Sequence, residues 1–422
     1  MTRRIKLVVA YDGSAYHGFQ KQKNAVTVQG VLEEMLAKLC GERVVTAGSG
    51  RTDTGVHALA QTVTFTTKGR ISCANILRAS RTMLPRDIVL LDAQEVEESF
   101  HARFSACWKI YQYRILCSDY DDPFRARYAW QLREQLNIEA MNEAAAFLSG
   151  THDFSAFRST GSVEGSAVKT IYEAYWQRQG RELVFRIAGD GFLYHMVRNI
   201  VWSLVQVGLG KRAPSDFAAE LLTERGTVLN EPAPPEGLYL EQVFYDKYAF
   251  IETERLYLRR LNRGDFSQLR RFLQDTEVMY AWEHAFSDDE ISEWLEENLR
   301  RYTEDGFSFL AVVEKQSGSF LGVAGPLMEH IDGLKAPGVA YILAKEYWRQ
   351  GFAREAAQAS ADYLRGRGYA RVVAEIRPDN EASLKVARAL GMRRCGFFMK
   401  KYHGREILHD LYYTGAAFAE KV

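Results

Sequence analysis

GSGRTDTGVH, from Gly48 to His57, holds three glycines, one arginine, one aspartate and one histidine in ten residues. The glycines permit positive φ angles and close approach of another chain segment. Arg51 stands two residues before Asp53 and offers charge to a phosphate or a partner carboxylate. A solvated turn, a phosphate cradle and a catalytic loop are all compatible with these residue types. No Gly-Lys-Ser or Gly-Lys-Thr follows, so the stretch lacks the lysine of a nucleotide phosphate loop.

The flanking sequence supplies alternating elements. Ile5 to Tyr11 reads as a strand ending in the turn Asp12-Gly13. VTVQGVLEEMLAKLC places Val31, Leu32, Met35, Leu36 and Leu39 on one helical face. Gln61 to Thr67 and Ile88 to Val96 read as strands, separated by the amphipathic helix CANILRASRTML, which Pro85 stops. That order predicts helices layered on a sheet. A second group begins near residue 104. It has a strand from Lys109 to Leu116, a helix from Ile138 to Leu148 and a strand from Glu182 to Ile187. In FLYHMVRNIVWSLVQVGLG, residues Met196, Val197, Ile200, Val201, Leu204 and Val205 recur at helical spacing. EPAPPEGLYLEQVFY closes the group with a strand. The two groups share an order of elements and no sequence repeat.

Asp246 to Thr253 reads as a short structured junction, since it is not rich in Pro, Gly or Ser. After it come a strand (Arg255 to Leu261), helices at Phe266 to Leu273 and Asp288 to Tyr302, and strands at Ser308 to Glu314, Leu321 to Met328 and Gly338 to Leu343. A helix from Ala353 to Arg365, a strand from Arg371 to Ile376, a helix from Glu381 to Leu390 and two final strands complete a self-contained α/β unit. The expected domains are residues 1–103, 104–248 and 249–422, which agrees with the two or three domains that 422 residues suggest.

Composition narrows the function classes. The chain has 54 basic and 54 acidic residues, so a nucleic-acid surface has to be a local patch. Splitting the chain near residue 248 leaves neither part strongly basic. Five cysteines with no CxxC spacing read as reduced thiols of a cytoplasmic protein rather than disulfides or a zinc site. The first apolar run is too short for a secretory signal, and no run of about 20 apolar residues predicts a membrane span.

RTDTGVHA resembles the RTDxGVHA signature of the tRNA pseudouridine synthase A family. YDGSAYHGFQKQ (with Phe19 where tryptophan is usual), TVQGVLEE, FHARFSACWKIYQYRI, GTHDFSAF, GFLYHMVRNIV and PPEGLYLEQVFY follow in the family's order. The resemblance covers residues 3–246. It implies an α+β fold of two similar α/β halves around a central antiparallel sheet. It also implies isomerisation of uridine to pseudouridine in the anticodon stem-loop of tRNA, by a homodimer that needs no cofactor and no metal. By the same resemblance Asp53 is the nucleophile, and a carboxylate can form a covalent adduct and then leave. Arg198 is the cation that keeps Asp53 ionised. Tyr111 stacks on the uracil and is a candidate base, Arg51 helps flip the base out of its stack, and Leu238 lines the uracil pocket. Read from residue type alone, Arg198 is equally a snorkelling surface arginine and Tyr111 a packing residue. His57, His101 and His195 receive structural or RNA-contact roles. Arg3, Lys21, Lys23, Arg78 and Arg81 are candidates for phosphate contact.

The second unit resembles the GNAT acetyltransferases over residues 252–415, through TERLYLRRLNRGDF, YILAKEYWRQGFAREAAQAS and RPDNEASLKVARALGMRRCGF. The Trp348-Arg349-Gln350-Gly351-Phe352-Ala353 string matches the family's Q/RxxGxG/A pattern, with arginine at 349 where glycine is frequent. The resemblance implies acetyl-CoA as cosubstrate. Gln350, Gly351, Phe352 and Ala353 would hold its pyrophosphate on a helix N-terminus, and Asn380 with Ser383 would meet the pantetheine arm. Helix capping is the plainer role for Asn380 and Ser383. Glu329, or a water held by backbone, is the candidate base for the acceptor amine, and Tyr402 the candidate acid. The acceptor is not implied, and a binding module for acetyl-CoA or a partner, without catalysis, is the alternative.

Overall fold

The computed structural model describes residues 2–159, 165–221, 232–331, 334–402 and 405–414. They form two units, Met1–Lys247 and Tyr248–Val422.

In the first unit the strand β1 (Arg3–Tyr11) buries Ile5, Leu7, Val9 and Tyr11, the alternation its sequence predicts. The helix α1 (Val28–Cys40) starts where the Thr27 hydroxyl accepts from Gly30 N–H, and ends at Gly41 in the left-handed region, φ 68. Its buried face is Val28, Leu32, Met35 and Leu36, with Val31 and Leu39 at the margin. The acidic Glu33 also lies inside, because Thr46 N–H (3.0 Å) and the Lys21 ammonium (2.9 Å) satisfy its carboxylate.

Chain order continues with β2 (Thr46–Gly48), β3 (His57–Thr67), α2 (Cys73–Met83), β4 (Ile88–Val96), β5 (Trp108–Cys117), β6 (Trp130–Leu132), α3 (Ile138–Ala146), β7 (Gly150–Asp153), β8 (Val168–Gln179), β9 (Glu182–Gly189), α4 (Met196–Gly208), α5 (Pro214–Leu221) and β10 (Leu238–Phe244). One sheet runs β4-β1-β3-β10-β5-β9-β8-β7, with β2 on β3 and β6 on β5. Residues 103 and 104 lie between β4 and β5, two strands of this sheet. The ladders are antiparallel except β10 with β3 and β5 with β6. Four strands escaped the pattern reading. β2, β6 and β7 are too short to show a period of two. β8 interrupts its alternation at Glu173, which is buried and paired with Arg186 at 3.1 Å.

The second unit comprises β11 (Ile251–Glu252), β12 (Leu256–Arg260), α6 (Phe266–Leu273), α7 (Asp288–Glu304), β13 (Leu310–Glu314), β14 (Phe320–Ile331), β15 (Leu334–Leu343), α8 (Phe352–Gly366), β16 (Val372–Ile376), α9 (Glu381–Ala389), β17 (Arg393–Tyr402) and β18 (Arg405–Thr414). Its sheet order is β11-β12-β13-β14-β15-β16-β18-β17. The parallel neighbours β15 and β16 register only at Gly338 and Val373. Val339, Val372, Ala374 and Ile376 pack with Ala357, Ala361 and Leu364 of α8 and Leu384 of α9, which sets that face of the sheet. The α7 start is a reciprocal cap, in which Ser287 and Glu290 each bond the other's backbone.

Candidate active sites

Asp53 lies in the loop joining β2 to β3, and three neighbouring strands bring other residues toward that loop. β10 enters between β3 and β5, with Tyr239 opposite His57 on one side and Leu238 opposite Tyr113 on the other. Leu238, buried, thus begins its strand where β3 begins, and Tyr111 stands on β5 opposite Leu240. The loop itself is fastened from below. Tyr11 and Thr52 share a hydroxyl bond of 2.8 Å, Phe19 N–H donates to Thr52 O at 3.1 Å, and Gln61 Nε2 donates to Gly50 O at 2.9 Å.

Two of the glycines serve this packing by the close approach and the positive φ that glycine permits. A Cβ on Gly48 would stand 2.4 Å from the Phe19 ring, and Gly55 holds φ 80 against Pro235.

Arg198, in the first turn of α4, reaches Asp53 across 145 residues of sequence. Its Nη1 is 3.4 Å from Asp53 Oδ2, and its Nε donates to Ala233 O at 2.6 Å. The guanidinium is therefore interior and fixed, not snorkelling. His195, which the motif reading set aside, stands beside it with Nε2 3.4 Å from the same Oδ2. The Asp53 side chain keeps about a quarter of its surface exposed, at 26%. Arg51 is exposed next to it.

Tyr111 is buried with its ring edge-on to Phe192 at 5.0 Å. Burial first, then the neighbouring Tyr11 phenol and the Asp53 carboxylate, push its phenol up from the ordinary 10. A phenol so held keeps its proton near neutral pH, which suits stacking or donation better than proton abstraction. Lys109, two residues earlier on the same face of β5, escaped the sequence reading. Its ammonium donates to Ser49 O at 2.6 Å, and burial, with Arg103 adding, lowers its pKa to about 8. The alternation Lys109-Ile110-Tyr111 was the available signal, since it puts the lysine on the tyrosine's side.

His57 is buried and takes no part at Asp53. Its Nδ1 accepts from Gly13 N–H at 3.1 Å, and its ring stacks on Tyr239 at 4.6 Å. His101 Nδ1 accepts from the N–H groups of Arg103 and Phe104, a local turn. Among the phosphate candidates, Arg3 is held by Glu95 at 2.9 Å and by the carbonyls of Gly69 and Ile71, and Lys21 by Glu33. Lys23, Arg78 and Arg81 are exposed.

In the second unit, Gly351 is the N-cap of α8 with φ 85, and Arg349 holds φ 62 just before it. Behind these two left-handed residues the first N–H groups of the helix, those of Phe352 and Ala353 among them, have no hydrogen-bond partner among the described residues. Arg255 braces the loop. It donates to Gln350 O at 3.1 Å and to Glu355 Oε2 at 2.7 Å, and stacks over Phe352 at 4.4 Å. The one carboxylate of the first turn is thereby paired with Arg255, which offsets its charge, so the loop fits an anion. Asn380 Oδ1 caps α9 through Ser383 N–H at 3.0 Å.

Glu329, near the end of β14, sits where β15 and β16 meet. A Cβ on Gly338 would lie 2.8 Å from its Cγ. Burial, then Glu375, push its carboxyl up to about 7, against Lys400 and Arg301. Glu375 is itself paired with Lys400 at 2.5 Å. The side chain of Tyr402 lies outside the described residues. Among the described residues, no helix is long and apolar enough to cross a membrane.

Comparison with known proteins assigns both units. The tRNA pseudouridine synthase family model matches residues 7–105 and 144–246, and the acetyltransferase (GNAT) domain model matches residues 255–393. The chain is 45% identical over 243 residues to the tRNA pseudouridine synthase A of Thermoanaerobacter sp. (strain X514), covering 58% of this chain and 100% of that one. It is 43% identical over 243 residues, with the same coverage, to the enzyme of that name from Acetivibrio thermocellus. Among solved structures, a GNAT-family acetyltransferase from Bacillus anthracis aligns at 22% identity and a TM-score of 0.34, covering 39% of this chain and 96% of that one.

Proposed function

Since the chain belongs to the tRNA pseudouridine synthase A family and carries a GNAT acetyltransferase domain, we propose that it is a bifunctional enzyme. Its first unit isomerises uridines in the anticodon stem-loop of tRNA, and its second transfers acetyl from acetyl-CoA to an amine. The observation that carries the first part is Asp53 beside Arg198 at 3.4 Å, at the head of the strands that bear Tyr111 and Leu238. The isomerisation breaks the glycosidic carbon–nitrogen bond and forms a bond to carbon 5 of the same base. The proton lost from carbon 5 is matched by one taken up at the released ring nitrogen, so no oxidant or reductant enters. Asp53 lends an electron pair to the nucleotide and recovers it when the new bond closes. Arg198 holds the carboxylate ionised, Tyr111 and Leu238 clasp the uracil, and exposed Arg51 takes the place left in the stack. A homodimer, cytoplasmic as its tRNA substrate requires, is part of this reading.

For the second unit, acetyl-CoA supplies the activated acetyl group when bound. Backbone N–H groups from Gln350 to Ala353 and the side chains of Asn380 and Ser383 hold it. Glu329 takes the proton of the acceptor amine, which its raised pKa suits.

The test is to incubate anticodon stem-loop tRNA with wild type and Asp53→Asn and to map pseudouridine. Equal modification by both removes Asp53 from the mechanism. Calorimetric titration with acetyl-CoA followed by an amine screen tests the second unit. Binding without transfer makes it a binding module, and no binding overturns the assignment of residues 350–353.

A further inference from the structure

His195 has no chemical step in the reading above, yet the chain goes to some length to aim it. It is the N-cap residue of α4 at φ 60 and ψ 2, a left-handed conformation that L-residues rarely adopt, and its side chain makes no capping bond to the helix. That backbone carries the imidazole over Asp53, with Nε2 at 3.4 Å from Oδ2 and the Tyr194 ring stacked on it at 3.8 Å.

The other ring nitrogen ends a directional chain of hydrogen bonds. Asn199 faces Phe157 O at 2.8 Å, and because a carbonyl only accepts, the Asn199 atom there is the amide nitrogen. The same amide donates to Ser159 Oγ at 3.3 Å. Ser159 Oγ keeps its own O–H and a second lone pair, so at 3.1 Å it can either donate to His195 Nδ1 or accept from it. A neutral imidazole has one N–H; Nε2 faces Asp53 Oδ2, a carboxylate oxygen that only accepts, which assigns the N–H to Nε2 and leaves Nδ1 to accept from Ser159. The charged groups that face the ring are Asp53 and Arg198. Burial, with Arg198 adding, outweighs Asp53 and holds the imidazole below 6.5, so the ring is neutral near pH 7.

His195 Nε2 and Arg198 Nη1 both stand on Oδ2, and Asp53 Oδ1 has no hydrogen-bond partner among the described residues. We propose that Ser159 and His195 form a tautomer-setting relay that, together with Arg198, engages Oδ2 of Asp53 and leaves Oδ1 to form the bond to the nucleotide. His195 is a positioning residue in this scheme. It donates a hydrogen bond without neutralising the carboxylate, and the electron pair that Oδ1 gives to carbon returns to it on release. The relay rests on Asp53 being the nucleophile. Protonation of His195 puts a second proton on Nδ1, turns Ser159 from donor to acceptor, and draws charge from Asp53, so turnover falls as pH drops through the imidazole's pKa.

The experiment is single-turnover pseudouridine formation and binding of anticodon stem-loop tRNA, measured against pH for the full chain. The variants are His195→Ala, His195→Gln and Ser159→Ala. His195→Ala loses about 10²-fold in rate with Kd within about threefold, the size of one well-placed hydrogen-bonding group in a reacting site. His195→Gln places an amide N–H near the old Nε2 and recovers to within about tenfold of wild type. Its profile lacks the acid decline that wild type shows below the ordinary imidazole value of about 6.5. Ser159→Ala moves the decline to higher pH, because Nδ1 loses the donor that opposed its protonation. The relay is overturned by wild-type rates in His195→Ala, by a His195→Gln variant as slow as His195→Ala, or by an acid decline that persists unchanged in His195→Gln. Should His195→Ala not fold, the profiles of the other two variants still decide. Full activity in Asp53→Asn sinks the nucleophile itself and is distinguishable from failure of the relay.

Discussion

The two candidate sites are built on opposite plans. In the first unit the working groups are side chains gathered from far apart, with Asp53 and Arg198 separated by 145 positions and joined at 3.4 Å. In the second unit the groups proposed to hold an anion are backbone N–H groups of one contiguous stretch, Gln350 to Ala353, shaped by positive φ at Arg349 and Gly351. A site of side chains is sensitive to the identity of a charge and tolerant of local backbone change. A site of backbone groups is tolerant of side-chain identity and sensitive to the torsion angles that aim it.

Substitutions ordered by expected size can break or sharpen that contrast. Asp53→Asn removes the proposed nucleophile and should lower pseudouridine formation by at least about 10⁴-fold, read by mapping modified tRNA. Its affinity for acetyl-CoA, read by calorimetry, should not change. Glu329→Gln is a charge change expected to matter in the second unit, with a loss of about 10²-fold in acetyl transfer. The base must be deprotonated to act, and its folded pKa is raised to about 7. Wild-type transfer should therefore rise with pH through about 7, and the variant should show no such rise.

Gly351→Ala forces an L-residue to φ 85, at a cost of about 1–2 kcal/mol. That should weaken acetyl-CoA binding by about 5- to 30-fold, read as a calorimetric Kd. An alanine variant that binds like wild type would show that torsion does not control this loop. Arg349→Gly has the smallest effect. It relieves the left-handed strain at φ 62 and should raise the melting temperature of the second unit by about 2–4 °C.

Much of this was legible from residues in order. The strands at Ile88–Val96 and the helix at Phe266–Leu273 begin and end where their periodicity says. Asp53, Tyr111, Arg198 and Leu238 stood out through strings whose order matched a family. Lys109 did not, because a lysine on an alternating strand looks solvated until the Gly48–Asp53 loop covers it. His195 did not, because nothing in YHMVRN says that its backbone adopts φ 60. Val31 and Leu39 were placed on the buried face of α1, whereas Glu33 lies deeper than either, since Thr46 and Lys21 satisfy it.

The division follows the range of the forces involved. Helix or strand character comes from neighbours a few residues apart, so alternation, capping residues and glycine positions decide it within the sequence. The residue types of both sites are equally local facts. Which strands lie side by side is not local. The insertion of β10 between β3 and β5 brings Leu238 beside the Asp53 loop, and the packing of α4 brings Arg198 and His195 to one oxygen of Asp53. Those meetings depend on the burial of whole faces and on ladder register across more than a hundred residues. Only the folded chain settles which nitrogen faces which oxygen.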